Sequence, residues 1–165
     1  MTRPVSEARL ALAGLGALLV ACGVLSLGLV LGWWQGLPAD ETAVLGYLPG
    51  LLARSLGSAY SFALLAGLCA VPLHGLFTAL RYGGAAAPAY ERFATWAQTL
   101  FTSLGFLGTI IGISRAVAGL APAMAAGEPG DLIAGLSTAF DTTFLGLTAA
   151  ILLLVLRKLF GLSAP

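Results

Sequence analysis

The sequence predicts an all-α membrane protein with four transmembrane helices. Hydrophobic residues fill 59% of the 165 positions and charged residues only 9%, against about 25% charged in soluble domains. Four apolar runs, at residues 10–34, 59–80, 97–120 and 132–156, are each long enough to cross a hydrocarbon core of about 30 Å at about 1.5 Å per residue. Arginines cluster at alternate ends of these runs. The spans and their flanks take up nearly the whole sequence, so chemistry is expected in or beside the bilayer. A net charge of +1 with a single lysine gives no basic patch for nucleic acid.

The first span follows Arg3 and Arg9 and ends at Trp33 and Trp34, an aromatic anchor. Within it, "LVAC" at residues 19–22 resembles a lipoprotein cleavage box, but the apolar run continues past it and exceeds a signal h-region, so retention is expected. Cys22 and Cys69 lie in spans and are expected to pack as small apolar residues. Arg3, Arg9, Arg81, Arg92, Arg157 and Lys158 lie at one end of the spans, Arg54 and Arg115 at the other. The positive-inside rule then puts both termini in the cytoplasm, with Asp40, Glu41, Glu128 and Asp131 outside.

The outer loop at residues 36–58 is expected to hold a short interfacial helix, capped by Asp40 and interrupted by Pro49 and Arg54 in "AVLGYLPGLLARSL", which reads as a packing element. In the second span, His74 follows a kink expected at Pro72. A histidine can relay protons, although a place near the cytoplasmic interface favours a structural role. The cytoplasmic loop "RYGGAAAPAYER" holds no catalytic constellation, and "YERFATW" reads as an interface anchor. The outer turn "GLAPAMAAGEPGD" is expected to break helix at Pro122 and Pro129, with Asp131 capping the fourth helix. The third and fourth spans thus form an antiparallel hairpin.

At about 100° per residue, Thr102, Gly105, Gly108, Thr109, Gly112, Ala116 and Gly119 share one small, slightly polar stripe. Gly108 and Gly112 have the GxxxG spacing that lets helices approach closely in lipid. The fourth span separates into three faces. Ser137, Asp141 and Thr148 share one, with Thr138 beside it; Gly135, Ala139, Thr142, Thr143, Gly146 and Ala150 form a small-residue face; Phe140, Phe144 and Leu147 form an apolar one. Asp141 and Thr143 point about 160° apart. A carboxylate in hydrocarbon costs about 3 kcal/mol on insertion scales, so Asp141 asks for a wet path, a proton shared with Ser137 or Thr138, or a basic partner. Arg115 is one such partner, and a group on a neighbouring subunit is another. Two faces unsuited to lipid on one helix argue for an oligomer.

"LGFLGTIIGISRAVAGL" followed by "GLSTAFDTTFLGLTAAI" resembles the two pore helices of the MotA/TolQ/ExbB proton-channel family. The resemblance divides the chain into residues 1–96, two peripheral helices with their loops, and residues 97–165, the pore hairpin. It implies a pentamer in the bacterial inner membrane around a dimer of a single-span partner, similar to MotB, ExbD or TolR, which carries an intramembrane aspartate. Protons or sodium ions would be transported, with no cofactor and no metal. By motif position Thr109 and Thr143 resemble the pore threonines, with Thr142 and Thr102 beside them, while Gly105, Gly108, Gly112 and Gly146 match packing positions. Arg115 falls where family sequences sometimes carry a base.

The sequence also departs from the family. Thr138 stands where TolQ and ExbB often carry a glutamate, and two spans precede the hairpin with almost no cytoplasmic domain between. Work on a cytoplasmic rotor is therefore not expected, and output through the partner's periplasmic part is. The residues alone leave two alternatives, a small oligomeric transporter coupled through Asp141 and a non-conducting scaffold. An intramembrane protease is excluded by the absence of GxSG, HExxH and a second intramembrane aspartate.

Overall fold

A computed structural model describes residues 7–32, 44–82, 87–127 and 129–162. Five helices account for nearly all of them: α1 (Glu7–Val30), α2 (Val44–Leu56), α3 (Ala59–Tyr82), α4 (Ala87–Ala126) and α5 (Gly130–Leu162). All but α2 are long and apolar enough to cross a membrane. The expected anchors Trp33 and Trp34, the cap Asp40, and the charges Arg3, Glu41 and Glu128 lie outside the described residues.

Neighbouring helices alternate in direction. Near one end Leu10 of α1 packs with Val71 of α3 and with Tyr90 and Ala94 of α4, and near the other Leu25 packs with Leu51, Leu64, Leu65 and Leu145. Each cluster draws its buried side chains from four helices, which is how a bundle of apolar helices gains contacts when lipid is itself apolar. Leu12, Leu19 and Val30 of α1 are more than half exposed, as suits a helix bordering lipid.

Two of the expected breaks move. Pro122 does not end α4, which runs on to Ala126. Termination falls to Gly127, whose φ of 71° only glycine adopts freely, and whose N–H donates to the Ala123 carbonyl at 2.8 Å. A proline removes one backbone donor and tends to kink a helix, and here the helix continues past it for only four residues. At the other end Pro88 sits in the first turn of α4, where its missing N–H is not needed, so "YERFATW" is helical and α4 begins ten residues before the expected span. Asp131 lies inside the first turn of α5 rather than at the capping position, still where a negative charge suits the helix N-terminus. Pro49 and Pro72 are likewise inside α2 and α3.

His74 is buried, 3% exposed. Its Nε2 lies 3.1 Å from the Leu10 carbonyl, which can only accept, so Nε2 carries the proton. The ring stacks on Tyr90 at 5.6 Å and tilts against Phe93 at 4.6 Å. It thus joins α1, α3 and α4, a structural use. An apolar recess of about 290 Å³ opens beside it between α1, α3 and α4, lined by Gly14, Gly67, Trp96 and Leu100.

The depth of the hairpin follows from its contacts with α3. Tyr60, the second residue of α3, donates its hydroxyl to the Leu104 carbonyl and lies against Gly108, while Gly67 meets Phe101 and Gly75 meets Leu156. Residue 108 of α4 is therefore level with the start of α3. The 18 residues from there to Ala126, about 27 Å of helix, rise beyond it together with the first part of α5.

Candidate functional site

The α4–α5 hairpin is held at backbone contact. A Cβ at Gly146 would lie 2.7 Å from both the Gly105 Cα and the Phe101 carbonyl oxygen, and one at Gly112 would lie 2.5 Å from the Ala139 nitrogen. Gly135 meets the Ala116 backbone in the same way, and Gly119 lies more loosely against Asp131. Since the obstructing atoms are mostly backbone, no side chain can step aside, and the glycines fix the interhelical distance.

That distance brings Thr109 and Thr143 together. Their Oγ1 atoms are 2.5 Å apart. Thr109 Oγ1 also lies 3.1 Å from the Gly105 carbonyl, and Thr143 Oγ1 lies 2.9 Å from the Ala139 carbonyl. Three contacts compete for two hydroxyl protons. In one arrangement Thr109 donates to Thr143, which donates to Ala139; in the other Thr143 donates to Thr109, which donates to Gly105. Each arrangement leaves an outward lone pair, and the two interconvert by rotating hydroxyls without moving a helix. The threonines are half-buried, at the edge of the hairpin interface.

The other expected pore residues fall elsewhere. Thr142 is fully buried; a Cβ at Gly108 would come within 2.5 Å of its Cβ and 2.8 Å of Tyr60, and its hydroxyl is directed to the Thr138 and Ala139 carbonyls of its own helix. It packs behind the hairpin instead of lining an open face. Thr102 is exposed and donates to the Gln98 carbonyl at 3.0 Å. Gly108, like Gly105, Gly112 and Gly146, lies in the buried interface.

Asp141 is 2% exposed and has its base within the same chain. Arg54 Nε donates to Oδ2 at 2.7 Å and Arg54 Nη2 to Oδ1 at 2.9 Å, a bidentate fork. The base is thus Arg54 of α2 and not Arg115, which is exposed on the far part of α4 and makes no ion pair with Asp131. The reason is geometric: α2 docks on α3 and α5 through Leu51, which carries the last turn of α2, with Arg54, to the face of α5 that holds Asp141. Arg54 remains 43% exposed, so only the carboxylate is removed from solvent. Thr138 donates to the Ala134 carbonyl, and Ser137 sits half-buried one turn from Asp141. The interfacial helix expected only to pack therefore carries the charge that neutralises the acid. The signal for it was present as an arginine in the last turn of an otherwise apolar helix.

The described residues contain no group of three or more His, Cys, Asp or Glu able to hold a metal ion. No curated protein and no solved structure matches the chain. Residues 85–163, which span the whole of α4 and α5, match the MotA/TolQ/ExbB proton channel family. The glycine-fixed hairpin with its paired threonines is the region of that match, and it is this hairpin that is similar to the MotA/TolQ/ExbB proton channel family.

Proposed function

We propose that this chain is the channel-forming subunit of an ion-driven membrane motor, assembled as a pentamer in the bacterial inner membrane with both termini in the cytoplasm. Its partner is a dimer of single-span, MotB/ExbD/TolR-like chains, each with an intramembrane aspartate, and the work is delivered in the periplasm. The observation that carries this reading is the Thr109–Thr143 pair: two hydroxyls that exchange donor and acceptor roles can pass or coordinate a proton or a sodium ion beside a partner carboxylate without adding charge. The match of residues 85–163 to a proton channel family supports it. The hairpin also exposes Ile110, Ile113, Val117, Ile133 and Phe140 on the part that rises beyond α3, an apolar surface that neighbouring subunits would cover.

Asp141 is poorly suited to couple an ion to a solute, because Arg54 already satisfies both of its oxygens; this disfavours the transporter reading. The test is purification from the native membrane followed by reconstitution. Co-purification of a single-span protein with an intramembrane aspartate, and flux that needs both chains under a proton or a sodium gradient, would support the reading and name the ion. Solute uptake by this chain alone would refute it.

A further inference from the structure

Below the threonine pair, α4 carries Thr102, expected beside the pore threonines, and three further polar residues that the pore motif does not include. Glu91, Thr95, Gln98 and Thr102 lie within about 60° of one another on the helix, and Thr109 falls on the same line. From Glu91 to Thr109 is 18 residues, about 27 Å, close to the thickness of a hydrocarbon core. Glu91, Thr95 and Thr102 are exposed and Gln98 is half-buried, within a helix that is otherwise apolar enough to span a membrane. Polar side chains on a spanning helix are costly against lipid and mark wet cavities or ion paths.

The hydrogen bonds give the stripe a common polarity. Thr95 donates to the Glu91 carbonyl at 2.8 Å and Thr102 to the Gln98 carbonyl at 3.0 Å. Each threonine has spent its one proton on its own helix, so it presents only lone pairs outward. Arg157 of α5 donates to Thr95 Oγ1 at 3.0 Å, which places the end of the stripe at a charged mouth with Glu91 and Arg157. Outward acceptors in a row suit water, hydronium or a small cation.

We infer that Glu91, Thr95, Gln98 and Thr102 form the conduit joining the Thr109–Thr143 pair to the side of the membrane that bears the termini. The inference rests on the channel reading above. Between Thr102 and Thr109 the rise is about 10 Å, a gap crossed by bridging water. The stripe has no titratable group above Glu91, so it conducts and does not store the ion.

Single cysteines at 95, 98 and 102, in a Cys22→Ala, Cys69→Ala background and in the complex with its partner, test this against Leu100→Cys and Leu107→Cys, which lie on the opposite face of α4. A cationic, membrane-impermeant methanethiosulfonate applied from the side bearing the termini should modify the three stripe positions at least ten times faster than the two controls and lower ion flux as it does so. The Gln98→Leu, Thr102→Val double variant should lose at least nine-tenths of the flux with assembly intact, and Thr102→Ser should retain it. Flux unchanged in the double variant, or a conducting complex whose stripe reacts no faster than the controls, would overturn the conduit while leaving the channel reading standing. A reactive stripe in a complex that passes no ion would overturn the channel reading, and the conduit with it.

Discussion

At the residue scale, two polar pairs divide the work that one apolar stretch of sequence conceals. Thr109 and Thr143 share two protons among three contacts, whereas Asp141 is locked in a fork with Arg54. Breaking a buried ion pair by removing one partner costs more than replacing both, because a lone buried charge remains. Arg54→Met is accordingly expected to destabilise the protein by about 3 kcal/mol, the low end for a buried charge left alone, since Arg54 itself is 43% exposed. The Arg54→Met, Asp141→Leu double variant should recover most of that loss in thermal unfolding in detergent. A double variant less stable than Arg54→Met would show that the pair is not what satisfies Asp141. The sequence offered a base as one of several ways to satisfy Asp141, but the base lies 87 residues away across a separately docked helix. No periodicity within one helix reports such a contact.

At the scale of the elements, the hairpin is a spacing device. Gly146→Ala would press a methyl to within 2.7 Å of two backbone atoms of α4 and force the helices apart. The Thr109–Thr143 contact, which bridges the two helices, would open first, so ion flux is expected to fall tenfold or more while most of the stability is kept. Gly16→Ala, where an added Cβ meets nothing within 4 Å, should change neither; flux measured on both variants separates spacing from a general intolerance of substitution. Gly127→Ala is expected to cost about 1 kcal/mol, because its φ of 71° is costly for an L residue, measurable as a lowered midpoint of thermal unfolding. Which residues face one another across the hairpin was legible from the 100° period and the small-residue spacing. The ends of the helices were not, because Pro122 is tolerated one turn before a glycine that terminates the helix better, and Pro88 fits a first turn.

At the scale of the whole molecule, four long helices give two different layers. α1 and α3 form one layer, and α4 and α5 extend past the start of α3 with apolar side chains exposed. Apolar length made the four helices and their order readable. The offset between the layers was not readable, since it is set by Tyr60 against Leu104 and Gly108, a contact between spans. An assembly that covers the projecting hairpin is expected to run as an oligomer in native mass spectrometry, and a stable monomer retaining ion flux would contradict it. In the proposed channel, ions pass beside the Thr109–Thr143 pair. This passage is tested most directly by flux through the reconstituted complex carrying Thr143→Val, which keeps the size and removes the hydroxyl, beside Thr143→Ser, which keeps the hydroxyl. The account predicts an assembled complex in which Thr143→Val conducts less than a tenth as fast as the native protein and Thr143→Ser conducts comparably; native flux in an assembled Thr143→Val complex would contradict it.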